Sequence, residues 1–407
     1  MIEKIIYNKT TKAIKAVDGH CNRCMSDDIY IAENHHQYCE TCYENISMSD
    51  HLYLKRYKRK RTHKNHVLKL NFDLTQSQIK GETFIRTCYE NKENGFLHAV
   101  CGAGKTEMCL RTILTCLKEG KSLVFVVPRV EIIKQLNQRF HEYFPKSDIC
   151  ALYQDMSFNE SADIYIATPQ QMIKFYHEFD LIIIDEADAF PFYKNEYLHR
   201  LVNKAIKPQG VRIYISATLA DDYQKIIESN QMKYCLIANR FHQKDLVIPT
   251  FKKYQYIFSN QLLMSISQYQ QDHKRLLIYF PSVRLMSRFK WFLSNKGINI
   301  EMISSETVYK KEVLKRFEFH EFNILLTTTL LERGVTFSNC DVYVFEADHQ
   351  IFDKDTLIQI AGRVGRDIKH TSGHLVFLSR FITSSMKEAK KELIKMNKVK
   401  NHDLSIV

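Results

Sequence analysis

Ala99-Val100-Cys101-Gly102-Ala103-Gly104-Lys105-Thr106 joins an apolar, strand-like run (residues 95–100) to a helix-like segment (residues 107–117). A strand that turns over glycines into a helix is the context a phosphate-binding loop requires. Gly102 and Gly104 let consecutive backbone N–H groups face an anion, and the positive end of the following helix strengthens that field. Lys105 then reaches the outer phosphates, and Thr106 offers a hydroxyl to magnesium. Ala99 stands where the strict pattern has its first glycine, and the plain alternative is a glycine-containing strand-to-helix turn.

The surrounding rhythm favours the phosphate loop. Val- and Ile-rich runs recur at residues 122–127, 163–167, 181–184 and 212–215, with helix-length segments between most of them. Parallel strands buried on both faces read this way, with helices as crossovers. Active residues then lie beyond the carboxyl ends of the strands. Asp185-Glu186-Ala187-Asp188 follows one such run and Ser216-Ala217-Thr218 another. Asp185 is placed to hold magnesium through water, and Glu186 to orient or deprotonate the attacking water. An acidic strand end is otherwise ordinary solvated-turn material.

Residues 241–253, with Pro249, break the rhythm and read as a hinge. A second alternating series follows at 275–280, 299–303, 323–327, 342–345 and 374–378, without a phosphate loop of its own. It carries Gly362-Arg363-Val364-Gly365-Arg366, a spacing that keeps two guanidiniums close on a helix with little bulk between them. Arginine suits transition-state phosphate because it is always charged and binds oxygens in pairs. Two glycines inside a helix are costly and ask for a packing or functional reason.

Ahead of the phosphate loop, Cys21-x2-Cys24 and Cys39-x2-Cys42 are separated by 14 residues. Two such thiolate pairs complete a tetrahedron around zinc. The site is closed and therefore structural, and metal binding would supply most of the small module's folding free energy. A disulfide pair is the alternative, disfavoured in a reducing compartment. The other seven of the 11 cysteines are scattered and read as small buried hydrophobes. Between His51 and Lys69 stand eight Lys or Arg and no acid, much of the net +12 of the chain. Tyr53 and Tyr57 are interleaved with them. The stretch is either a solvated face or a patch for a polyanion, and the nucleotide motor behind it points to nucleic acid. No apolar run approaches a membrane span, and residues 1–12 lack a secretory core, so the cytoplasm is the expected compartment.

Taken in order, these motifs resemble those of superfamily-2 helicases over roughly residues 72–380. The resemblance implies an α/β fold of two RecA-like parallel-sheet domains in tandem, preceded by the zinc module, with ATP bound in the cleft between them. The expected boundaries are a four-cysteine module at 1–50, a basic linker at 51–70 and RecA-like domains at 71–240 and 255–383. A hinge fills 241–254 and a basic helix ends the chain at 384–407. Gln78, in a Leu-Thr-x-x-Gln signature, would read adenine; read alone, Thr75 and Gln78 are a helix cap. Arg363 and Arg366 would act as arginine fingers, and the 216–218 segment would couple hydrolysis to movement.

End to end, the four cysteines, basic stretch and residues 331–336 with Gly334 in the nucleotide set resemble the late-competence ComFA family. That family is the cytosolic ATPase thought to help pull transforming DNA into Gram-positive bacteria as a single strand. The resemblance implies single-stranded DNA, a ComF-operon protein and the DNA-uptake channel as partners, and peripheral association with the inner face of the cell membrane. ATP, Mg2+ and Zn2+ are the expected cofactors.

Three other readings stand beside it: a replication-restart helicase like PriA, a DEAD-box-like RNA helicase, and a non-enzymatic zinc-ribbon DNA clamp. Asp185-Glu186-Ala187-Asp188 spells the DEAD tetrad, but Gln359 and Ile360 stand where that family has His and Arg. With the residues so apportioned, no strand-splitting domain fits within the chain, which predicts a single-strand translocase that unwinds duplexes poorly.

Overall fold

The computed structural model describes the chain except for residues 7–13, 16–18, 44–48, 51, 59–64, 155, 157, 255–258, 273, 332–336 and 405–407. Gly334 and four of the eight cations of the basic stretch (Arg59, Lys60, Arg61 and Lys64) lie outside the described residues. The chain forms two units, Met1–His98 with Lys105–Ile237, and Ala99–Gly104 with Ala238–Val407.

The first unit is built on a seven-stranded sheet. Its order is Lys233–Ile237, Gly95–Ala99, Ile206–Ser216, Phe179–Asp185, Leu123–Val126, Ile164–Ala167 and Ile149–Leu152. The pairings from Gly95–Ala99 onward are parallel. Ile182, Ile183, Val124, Phe125 and Ile164 are fully buried, which is why those strands read as unbroken apolar runs. Helices Gln76–Asn91, Lys105–Lys118, Val130–Tyr143, Glu196–Ala205 and Asp221–Glu228 complete the RecA-like layers.

The second unit carries a six-stranded parallel sheet. Its order is Thr250–Lys253, Leu375–Ser379, Cys340–Phe345, Arg275–Tyr279, Ile324–Thr327 and Ile300–Ile303. The helix Ser384–Leu404 occupies the expected basic C-terminal segment. Thr250–Lys253 falls within the stretch read as a hinge, where it pairs in parallel with Leu375–Ser379.

The amino-terminal segment is not strung ahead of the first sheet on a free linker. Ile2–Ile6 pairs antiparallel with Tyr53–Tyr57, the start of the basic stretch. Short antiparallel ladders, Ile14–Lys15 with His20–Cys21 and Ile29–Ile31 with Gln37–Cys39, carry the first and third cysteines. All four cysteines share one apolar core with Phe175, Phe179, Leu198 and Leu201 of the sheet domain.

Candidate nucleotide site and four-cysteine cluster

In the phosphate loop, Gly102 and Gly104 take φ values of +82° and +80°, a left-handed backbone in which a Cβ is strained. Helix Lys105–Lys118 starts directly after them, with Thr106 buried in its first turn. The free N–H groups and positive end of that helix therefore lie at the loop. Gln78 is the third helical residue of a capping box with Thr75. Its Oε1 accepts from the Thr75 N–H at 2.9 Å, and its own N–H donates to Thr75 Oγ1 at 3.4 Å.

Asp185 ends its strand almost buried, and its Oδ1 accepts the Glu186 N–H at 2.9 Å. That turn holds Glu186 at φ +53°, a conformation that costs a non-glycine residue about 1 kcal/mol or more and clusters at functional sites. Close by, burial and then the Asp185 charge push the Cys109 thiol well above its usual range. Asp188 Oδ2 accepts the Thr218 hydroxyl at 2.7 Å, and Thr218 N–H donates to Ser216 Oγ at 3.1 Å. Ala187 N–H donates to Ile215 O at 3.1 Å, and His98 Nε2 lies 3.1 Å from Ala217 O. The acidic strand end and the Ser-Ala-Thr segment are thus one hydrogen-bonded network. Sequence reading assigned no role to Asp188 or His98. The tetrad displayed the first, and only a polar residue within an apolar strand marked the second.

In the second unit, the helix carrying Gln359 runs Lys354–Ala361 and stops there, with Gly362 as its cap. Arg363 and Arg366 therefore stand on the turn that follows, not on a helix as the spacing suggested. The two glycines have separate reasons. A Cβ on Gly362 would lie 2.4 Å from the Cys101 Cβ, and Gly365 sits at φ +63° with Thr371 O 2.4 Å from where its Cβ would be. Loop residues 99–104 belong to this unit and pack on that turn. Cys101 Sγ donates to Gln359 Oε1 at 3.1 Å, and Gly102 O accepts the Phe241 N–H at 2.9 Å. Arg363 is buried, and the position a Cβ would take on Gly102 lies 3.7 Å from Arg366 Cγ and 3.8 Å from Arg240 Cγ. Arg240 is a residue no motif pointed to.

The four cysteines do converge. Their sulfurs lie within 4.8 Å of one another, Cys21 to Cys42 at 3.9 Å and Cys24 to Cys39 at 3.5 Å. Tetrahedral Zn–S bonds of about 2.3 Å set sulfurs about 3.8 Å apart, so the cluster has the dimensions of such a centre. Hydrogen bonds from Cys24, Cys39 and Cys42 pull the Cys21 thiol down, and the reciprocal bonds push Cys42 up. The basic stretch fares differently. Arg56 donates to Glu3 Oε1 at 2.7 Å and stacks its guanidinium 3.4 Å over the Tyr176 ring, so that cation is a structural one.

Residues 54–236 match the family described as "Type III restriction enzyme, res subunit", and residues 257–367 the one described as "Helicase conserved C-terminal domain". The fold is similar to that of S. cerevisiae Dbp5 bound to RNA and ADP BeF3, with a TM-score of 0.56 and 15% identity, over 79% of this chain and 91% of that one. Two RecA-like domains with these matches define a superfamily-2, helicase-type ATPase. More narrowly, the chain is 31% identical to competence protein ComFA of Streptococcus pneumoniae R6 across 93% of this chain and 89% of that protein. It is 29% identical to ComFA of Bacillus subtilis 168 across 93% and 86%. The chain belongs to the ComFA family of competence proteins.

Proposed function

We propose that this chain is an ATP-driven motor that moves along single-stranded DNA during uptake of transforming DNA. One observation carries the reading: a chain of the ComFA family has a phosphate loop with two left-handed glycines, and it also carries a strand-end Asp185-Glu186 and an arginine turn. Gly102, Gly104 and Lys105 bind the phosphates, Gln78 reads adenine, and Gly334 belongs to the same nucleotide set. Thr106 and Asp185 hold Mg2+, which neutralises phosphate charge. Glu186 orients or deprotonates the attacking water, and Arg363 and Arg366 stabilise the charge that develops on the transferred phosphoryl group. The Asp188–Thr218 bond carries the state of the acidic strand end into the Ser-Ala-Thr segment.

Cys21, Cys24, Cys39 and Cys42 bind one Zn2+ in a closed, structural shell; their buried sulfurs are spaced as such a shell requires. The basic stretch contacts phosphates without reading bases, which suffices for movement along a strand. Among the described residues no helix is long and apolar enough to cross a membrane, so association with the inner membrane face would be peripheral, through the uptake channel or a ComF-operon partner. The proposed boundaries remain a cysteine module at 1–50, a basic segment at 51–70, domains at 71–240 and 255–383 with a hinge at 241–254, and a basic tail at 384–407.

The test is steady-state ATP turnover with single-stranded DNA, single-stranded RNA and blunt duplex of equal length at one salt concentration, beside strand displacement. Single-stranded DNA should stimulate most. Stronger stimulation by RNA would return the DEAD-box reading, and DNA binding without turnover the clamp. Processive unwinding of a long blunt duplex by the pure protein would overturn the translocase and favour a PriA-like helicase.

A further inference from the structure

Arg240 is only 1% exposed, one of the largest fully buried side chains of the protein. Its Nη1 donates to two backbone carbonyls, Val364 O at 2.9 Å and Gly365 O at 2.6 Å. Its Nε and Nη2 are buried with no hydrogen-bond partner among the described residues. No carboxylate pairs with it among those residues, and Arg363 is close enough to repel it. Burial, more than Arg363, pushes its pKa down to about 10. A guanidinium taken out of water is normally matched by a carboxylate or by a full set of acceptors. Here three of its five N–H donors are idle, and the backbone beside its stem is the phosphate loop. The position a Cβ would take on Gly102 lies 3.8 Å from Arg240 Cγ, and the next residue, Phe241, donates its N–H to Gly102 O at 2.9 Å.

We infer that Arg240 is a phosphate ligand of this ATPase, its Nε and Nη2 groups supplying a planar pair of donors that the nucleotide's phosphate oxygens complete. The inference rests on residues 99–106 being the nucleotide's phosphate loop. The chemistry is that of a guanidinium fork on an oxyanion, which both a nucleoside diphosphate and inorganic pyrophosphate present. The bonds from Nη1 fix the plane of the group in advance, so little side-chain freedom is lost when an anion arrives. The anion also supplies a counter-charge to the Arg240 guanidinium.

The experiment is thermal unfolding of the full chain with no ligand, with Mg-ADP and with pyrophosphate, in wild type, R240Q and R240K, alongside direct ADP titration. In R240Q a buried, half-satisfied charge is gone. The ligand-free variant should therefore melt at or above wild type, while the stabilisation by ADP and pyrophosphate falls and ADP affinity drops at least tenfold. R240K keeps a point charge without the fork and should fall between. If R240Q does not fold, R240K carries the test, through loss of ligand stabilisation at an unchanged ligand-free midpoint. A merely structural Arg240 gives the reverse pattern, a lower ligand-free midpoint with full stabilisation by ADP, and that result overturns the inference. If wild type itself shows no response to either anion, the phosphate-loop reading falls, and the role of Arg240 with it.

Discussion

The cysteine module should fail together with the first sheet domain, because one buried ammonium ties them. Lys204, on helix Glu196–Ala205, donates to Glu3 Oε2 at 2.6 Å, to Arg23 O at 2.7 Å and to Ile173 O at 2.9 Å. Its side chain and that of Glu3 are 1% and 2% exposed, and Arg23 lies between two of the cysteines. Burial, more than the attraction of Glu3, lowers the Lys204 pKa. Truncating one partner of a buried pair costs about 3–5 kcal/mol. Lys204→Met should sit near 3 kcal/mol, since Glu3 keeps Arg56 on its other oxygen. For a unit of this size that is a fall in midpoint of roughly 6–12 °C. The unfolded chain binds the Lys204 proton more tightly than the folded one, so wild-type stability should rise as pH climbs from the folded pKa towards about 10.4. Lys204→Met should lack that rise.

The assay pairs chemical denaturation followed by circular dichroism with metal release into a chromophoric chelator. Both should shift together in Lys204→Met and in Glu3→Gln, and the double variant should recover part of the loss, because no charge is then stranded. Weakened folding with unchanged metal release would refute the coupling and restore an independently folding module. A stability change under about 1 kcal/mol would refute the assigned weight of the pair.

Removing the Lys105 ammonium should cost turnover at least about a hundredfold, and Glu186→Gln should do the same while still binding ATP, because each acts mainly on transition-state charge. Turnover by Glu186→Gln at the wild-type rate in single-turnover assays would sink that assignment. Thr218→Val, which removes the 2.7 Å bond to Asp188, should leave basal hydrolysis within a few-fold and reduce its stimulation by single-stranded DNA. Full stimulation would show that the bond carries no signal. Neutralising Lys58, Arg59, Lys60 and Arg61 together should weaken binding to any single strand and flatten its salt dependence by about 0.7 per lost phosphate contact. An unchanged slope would make the stretch a solvated face.

Much of the fold was legible because central parallel strands are buried on both faces and leave unbroken apolar runs. Residues 181–184 and 275–280 could hardly be read otherwise, and strands lie at Phe179–Asp185 and Arg275–Tyr279. What escaped was three of the four edge strands of the two large sheets. Ile149–Leu152, Lys233–Ile237 and Thr250–Lys253 are all edge strands. Half-exposed and carrying lysines or alternating burial, they have no long apolar run to display. The cap at Thr75 and Gln78 was legible because its partners are three residues apart, and the four cysteines because chelation fixes their spacing.

Long-range polar contacts leave no such trace. Nothing in the composition of residues 1–6 announces that Glu3 meets Lys204 and Arg56, and the basic run hides that one of its arginines is spent on structure. The glycines of the arginine turn show the same limit. Their cost in a helix signalled a reason, but the reason is the Cys101 side chain for Gly362 and the Thr371 carbonyl for Gly365, neither adjacent in sequence. A motif therefore records which residue types a reaction needs, while the contacts that aim them are distributed through residues of unremarkable type. Arg240 belongs to that second group. It lies in no recognised signature, yet among the described residues it is a fully buried guanidinium with idle donors beside the phosphate loop. Burying such a group is unfavourable without acceptors, and an anion bound there would supply them, so the geometry of the empty donors says more about its role than any neighbouring motif.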